Sequence, residues 1–249
     1  MFHVKPLSTE ARGLAGAVAF LTRVPVGRWI ALDVHDVARG GALFPLVGAG
    51  VGAAMGALAD ALAPSLGGTL AAVLGVAVAA VLTGALHLDA LADTADALGA
   101  WTRERALEIM RDHAIGAYGV TALVLALAAK VAALAQLAAH GHALRFAVCA
   151  AAAGRVTPVV LSAALPYART GVGVGRALGD VGRVRVLVAA AIATAFCLSL
   201  HALPLLVAAA AVAVVVGGGA RLWLGGVTGD VLGAAAELAE LAALVVAVA

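Results

Sequence analysis

The segment His87-Leu88-Asp89-Ala90-Leu91-Ala92-Asp93-Thr94-Ala95-Asp96 sets three carboxylates at i, i+4 and i+7, directly after a long apolar run. At about 100° per residue these positions fall within roughly 60° of one another, so a helix projects all three from one face. Left unpaired, such a face repels itself. A hard divalent cation removes the repulsion, and Mg2+ suits carboxylate oxygens while keeping positions open for water and phosphate oxygens. The chemistry this predicts is the handling of a diphosphate, with Asp89, Asp93 and Asp96 as the metal ligands. The competing reading is a solvated helix end with Arg103 and Arg105 as charge partners.

Further polar groups punctuate the apolar runs. Glu108-Ile109-Met110-Arg111-Asp112-His113 leads into Ile115-Gly116-Ala117-Tyr118-Gly119, where Asp112 offers a fourth carboxylate and His113 a base. The blander roles are a helix N-cap for Asp112 and a surface position for His113. Lys130 and Arg155 stand inside apolar runs, where an isolated cation costs about 2.5 to 3.5 kcal/mol on insertion scales, so both need anionic partners. Glu237 and Glu240 on the last run are candidates, as is substrate phosphate; structural pairing is favoured for Lys130 and ligand contact for Arg155. Gly225-Gly226-Val227-Thr228-Gly229-Asp230 suits a phosphate-cradling turn, though no lysine follows as in a P-loop. Thr22-Arg23-Val24-Pro25 reads as a surface turn, Phe44-Pro45-Leu46-Val47-Gly48 as a span opening, and Tyr167 to Gly173 as a flexible loop. Arg23 and Arg169 are within reach of an anionic substrate in this reading.

The elements that must position these groups are membrane helices. Of 249 residues 64% are hydrophobic and 12% charged, with mean hydropathy +1.08, and no water-soluble surface can be built from that. Several charge-poor runs approach the roughly 20 residues a bilayer crossing needs. Apolar helical candidates run 43–63, 68–86, 116–139, 143–165, 184–202, 203–222 and 231–249. The expected fold is therefore all-α, a polytopic integral membrane bundle of about seven transmembrane helices. An N-terminal interfacial amphipathic helix precedes it, with Leu7, Leu14, Val18 and Leu21 on one face; its apolar stretch is too short, and too closely bracketed by Arg12 and Arg23, for a cleaved signal peptide. The expected organisation is one membrane domain over 1–249, with 1–40 as a cytoplasmic or interfacial segment and 87–115 as an Asp-rich catalytic loop.

Basic residues cluster in alternate connections: Arg12 to Arg39, Arg103 to Arg111, and Arg169 to Arg185, while Pro64–Gly67, His140–His142 and His201–Pro204 carry no arginine or lysine. Lys and Arg favour the cytoplasmic side, so every motif-bearing loop is expected there, in a cell (inner) membrane. The net charge of +2 is spread over separate loops, which argues against nucleic acid. Cys149 and Cys197 lie inside apolar runs and read as packing residues. No internal repeat of the kind transporters carry is evident.

In order and spacing these segments resemble the cobalamin synthase family, over nearly the whole chain. The pieces are Thr22-Arg23-Val24-Pro25, Phe44-Pro45-Leu46-Val47-Gly48, His87-Leu88-Asp89 through Asp96, Ile109-Met110-Arg111-Asp112, Ile115-Gly116 with Tyr118-Gly119, Lys130, Arg155, and Gly225-Gly226 with Thr228-Gly229-Asp230. Ala90 and Ala97 stand where the family pattern usually carries glycine. The resemblance implies an adenosylcobinamide-GDP ribazoletransferase, which joins adenosylcobinamide-GDP to α-ribazole or its 5′-phosphate and releases GMP in the late assembly of vitamin B12. It implies Mg2+ as cofactor, Asp89, Asp93, Asp96 and Asp112 as catalytic carboxylates, and Arg23, His87, Arg111, Arg155, Thr228 and Asp230 as substrate contacts. The expected partners are the two substrates and the bilayer, with a homo-oligomer and docked B12-assembly enzymes left open. The alternatives are another Mg2+-dependent membrane transferase, of the CDP-alcohol phosphotransferase or prenyltransferase type, and a transporter. The Asp-Gly and Ala-Arg elements of the former and the second Asp-rich motif of prenyltransferases are absent.

Overall fold

A computed structural model describes residues 8–112, 114–170, 174–179 and 182–249; Leu7, His113 and Gly171 to Gly173 lie outside the described residues. Short helices α1 (Thr9–Leu21) and α2 (Val34–Gly40) lead into α3 (Phe44–Leu66), α4 (Gly68–Thr83) and α5 (Leu86–Ala97). Then follow α6 (Arg103–Ile109), α7 (Ala117–Ala139), α8 (Ala143–Ala164) and α9 (Val174–Gly179). The chain closes with α10 (Arg183–Ser199), α11 (Pro204–Leu224) and α12 (Gly229–Val248). An isolated bridge between Tyr167 and Val227 is the one β-type pairing among the described residues.

This is an all-α membrane protein, and a helix stands at each of the seven predicted runs. Five helical segments are long and apolar enough to cross a bilayer: Val34–Leu66, α7, α8, α11 and α12. The count becomes six if α4 and α5 are one broken span. The expectation of seven is thus trimmed by length. α10 has 17 residues and opens with Arg183 and Arg185, and α4 has 16 because the chain turns sharply at its end. Gly84 and Ala85 both adopt left-handed backbone, φ 62° and 58°, which no helix can continue through. The result is an 89° bend between α4 and α5. α5 therefore runs across the end of the bundle instead of extending α4 through it, which leaves its aspartates outside the spans.

Small residues set how closely the helices approach. On α3, Gly48, Gly52 and Gly56 recur every fourth position and lie against the backbone carbonyls of Ala151, Ala147 and Ala143 on α8; a Cβ at any of them would come within 2.6 Å of those oxygens. Such stripes let dispersion act over whole helix faces where lipid offers no hydrophobic gain. α8 is the hub, packed against α3, α12, α10 and α11, and 72% of its apolar window is buried, against 22% for α11, whose outer face is left for lipid. The amphipathic helix α1 turns its small face inward, burying Gly13, Gly16, Ala17 and Leu21 against α2, while Leu14 faces out. Arg12 reaches across to the buried Asp36 of α2.

The two ends of the bundle are tied separately. At one end Asp60 caps the start of α8 through the amides of Ala143 and Leu144, and Arg145 donates to the carbonyls of Leu200 and His201. At the other, Arg23 N–H donates to Leu82 O, and Arg103 donates to Leu224 O and Ala168 O. All the polar segments singled out above lie at this second end, apart from the cations inside the spans.

Candidate active site

α5 presents its carboxylates where α12 begins. Ala90 sits against Gly233 of α12, where an added Cβ would come within 2.5 Å of the Ala90 Cβ, so the two helices meet almost backbone to backbone. This brings Asp89 and Asp230 onto the wall of one cavity of about 260 Å3, with His87, Tyr167, Gly175, Gly229, Pro158 and several apolar side chains completing it. Asp89 is exposed, Asp93 and Asp96 are half-buried, and His87 is buried beneath them. Burial, followed by the charges of Asp89, Asp230 and Asp96, pushes the Asp93 carboxyl up to about 6. Arg169 partly offsets this, and it pairs with Asp230 at 2.8 Å.

The expected charge partners of the aspartates are engaged elsewhere. Arg103 is bound to the two carbonyls named above and Arg105 pairs with Glu108, so neither serves the α5 face. Asp96 has a definite partner set: its two oxygens accept the amides of Gly116 and Gly119, at 2.7 and 2.8 Å. It caps α7, and both glycines are required there because a Cβ at either would fall within 2.5 Å of an Asp96 oxygen. The helix cap read for Asp112 is thus supplied from another helix; Asp112 is exposed and accepts the amide of Ala114 within its own loop. Arg111 is exposed beside it.

Two glycines of the 225–229 turn serve the chain itself, while Gly229 lines the cavity. Gly225 ends α11 with φ 75°, and Gly226 lies so close to Pro166 that a Cβ would meet the Pro166 oxygen at 2.1 Å. Val227 exchanges hydrogen bonds with Pro166 O and Ala168 N–H. Thr228 is fully buried and caps α12 by accepting the amide of Val231. Its hydroxyl does not line the cavity, whereas Asp230, two residues on, does. Arg23 is exposed and lies over Gly84 at the elbow before α5.

Arg155 is not at the cavity wall. It is 4% exposed and pairs with Glu240, while Lys130 pairs with Glu237 and, at 2.9 Å, with Glu240. Two cations and two anions from α7, α8 and α12 thus neutralise each other inside the bundle. The carboxylate of Glu240 gives Arg155 the anionic partner that a guanidinium needs at that depth. The cavity beside this quartet holds about 20 Å3, room for about one water. His87 lines both this space and the larger cavity, linking the quartet to the aspartates.

A family model described as cobalamin-5-phosphate synthase matches residues 13–248. The chain belongs to that family. A curated relative from Citrobacter koseri, named adenosylcobinamide-GDP ribazoletransferase, is 41% identical over 232 residues, covering 90% of this chain and 94% of its own. A relative of the same name from Shigella flexneri is 39% identical over the same shares. No solved structure matches the chain. The carboxylates of α5 and of the first turn of α12 lie together at this end of the bundle, Arg169, read from sequence as within reach of an anion, pairs with Asp230 there, and Tyr167 joins the residues that sequence reasoning singled out. Tyr167 was legible only as part of a loop. Its place in the wall depends on the pairing of 166–168 with Val227, a contact 60 residues distant in sequence.

Among the described residues, no three His, Cys, Asp or Glu side chains already converge closely enough to hold a metal ion. The donor set nevertheless suits a divalent cation in kind. It is all oxygen: Asp89, Asp230 and Asp96 stand close enough to act on Asp93, and Arg169 pairs with Asp230.

Proposed function

We propose that the chain is an adenosylcobinamide-GDP ribazoletransferase, joining adenosylcobinamide-GDP to α-ribazole, or to its 5′-phosphate, to give adenosylcobalamin or its 5′-phosphate with release of GMP. The observation that carries this is family membership over 13–248, with Asp89 of α5 and Asp230 of α12 brought to one cavity. The reaction breaks the diphosphate bond of the activated corrinoid and forms a new phosphate ester with a free ribose hydroxyl of the incoming ribazole.

Asp89 and Asp93 would hold Mg2+, with Asp230 and the outer lone pairs of Asp96 beside them. The ion would supply charge neutralisation on the diphosphate and on the departing GMP. One carboxylate of this set, or Asp112, would orient the attacking hydroxyl or take its proton. Asp96 fixes the start of α7 against α5, and the quartet beneath His87 holds α12 in register with α8. Asp89 and Asp230 stand on opposite elements of the cavity, so the two helices together set where a phosphate can sit. The apolar remainder of the wall limits water, the competing nucleophile.

The basic residues at this end of the bundle favour the cytoplasmic face of the cell inner membrane, where both nucleotides are soluble. The test is cobalamin formation by the purified protein in lipid, given adenosylcobinamide-GDP and α-ribazole with and without Mg2+, with GMP followed by chromatography. Mg2+-dependent product is expected. Folded protein that yields neither product nor GMP would sink the reading.

A further inference from the structure

Arg169 is placed by contacts that do not involve the carboxylates. Its loop is joined to Val227 by two backbone hydrogen bonds, and Arg103 holds the adjacent Ala168 carbonyl. From this anchor the guanidinium reaches Asp230, Nη2 to Oδ2, at 2.8 Å, with the side chains 15% and 21% exposed. The contact is an ion pair without a well-aimed hydrogen bond. Nε is buried and meets no acceptor among the described residues, an arrangement that leaves a charged donor desolvated and unused.

At this end Arg103 and Arg105 are engaged as described, Arg23 covers the elbow at Gly84, and Arg111 is exposed beside Asp112. Arg169 is the cation seated among the carboxylates, and it holds a donor in reserve. A guanidinium presents a planar fork that matches two oxygens of a phosphate, which a carboxylate held end-on does not fully use.

We propose that Arg169 is the resident counter-ion of the carboxylate site and, once a divalent cation takes over Asp230, the residue that contacts the diphosphate oxygens of the substrate. The role rests on the transferase reading above. Asp230 exchanges one cation for another, and Arg169 turns its unused donor onto the anion without moving its anchored backbone. A purely structural Arg169 would strengthen the site for both ligands; a counter-ion that changes partner competes with one and recruits the other.

The experiment measures two ligands on wild type, Arg169→Ala and Arg169→Lys in lipid nanodiscs, with thermal unfolding as the check that each is folded. Mn2+ binding without nucleotide is read by electron paramagnetic resonance, and GDP binding, with saturating Mg2+ present, by retention of labelled GDP. Arg169→Ala is expected to bind Mn2+ several-fold more tightly and GDP at least about tenfold more weakly, the loss of one charge-assisted contact. Arg169→Lys, which keeps the charge and loses the fork, should fall between wild type and Arg169→Ala for both ligands. Unchanged or weakened Mn2+ binding in Arg169→Ala, or unchanged GDP retention, overturns the proposal. Failure of the transferase reading shows separately, as absence of cobalamin product from wild type.

Discussion

Two groups of ionised side chains lie one beneath the other in this molecule, and His87 touches the space beside each. The inner group is balanced: Lys130 and Arg155 face Glu237 and Glu240, all at most 5% exposed. The outer group is not balanced: among Asp89, Asp93, Asp96 and Asp230 only Asp230 is paired with a cation, Arg169, and Asp89 and Asp230 open onto a cavity. A charge that is fully neutralised by its neighbours organises helices and has nothing left for a ligand. A charge left in excess raises the cost of the empty site, and that cost is relieved when a cation or a substrate with its cation arrives. Buried ionic groups therefore divide by local balance as much as by residue type.

The comparison can be broken most sharply at the outer group. Asp89→Asn or Asp93→Asn should lower turnover by about a thousandfold or more while the protein still inserts and unfolds as wild type. Near wild-type turnover from both would end the metal role of α5. At the inner group the effect should fall on stability. Glu240→Gln removes the carboxylate shared by Lys130 and Arg155 and should cost roughly 3–5 kcal/mol, read as a lower midpoint of unfolding in detergent. Replacing Lys130 by Met together with Glu237 by Leu removes one cation and one anion, leaves Arg155 with Glu240, and should restore most of that stability. If the double variant is as unstable as Glu240→Gln, balance is not what the quartet provides. Asp96→Asn tests the boundary between the groups: one of two charge-assisted bonds to the start of α7 is lost, with an expected cost of about 1–2 kcal/mol and a smaller fall in turnover than at Asp89.

Much of the architecture could be read from residue order. The seven apolar runs are helices, and the carboxylate spacing of Asp89, Asp93 and Asp96 does lie on one helix, because periodicity is a local property of the chain. The bend that turns this helix across the bundle was not legible, since it depends on Ala85 in left-handed backbone, where sequence would expect glycine or asparagine. Nor was the division of labour among the polar residues. Arg155 and Arg169 are the same residue type beside apolar sequence, and only packing gives one a carboxylate in the interior and the other a place at the rim. Likewise the glycines of 225–226 suggested a phosphate turn, while the close approach of Pro166 explains Gly226 without a ligand.

By itself the sequence determined that this is a membrane-embedded helical protein with an aspartate face, and it carried the order of segments that places it among cobalamin-5-phosphate synthases. Hydrophobic run length and helical period suffice for that, because each is written in neighbouring residues. Which charges cancel and which remain available was decided by tertiary structure alone. Lys130 meets Glu237 across 107 positions and Arg169 meets Asp230 across 61, and electrostatic balance depends on such distances in space, to which distances along the chain are no guide.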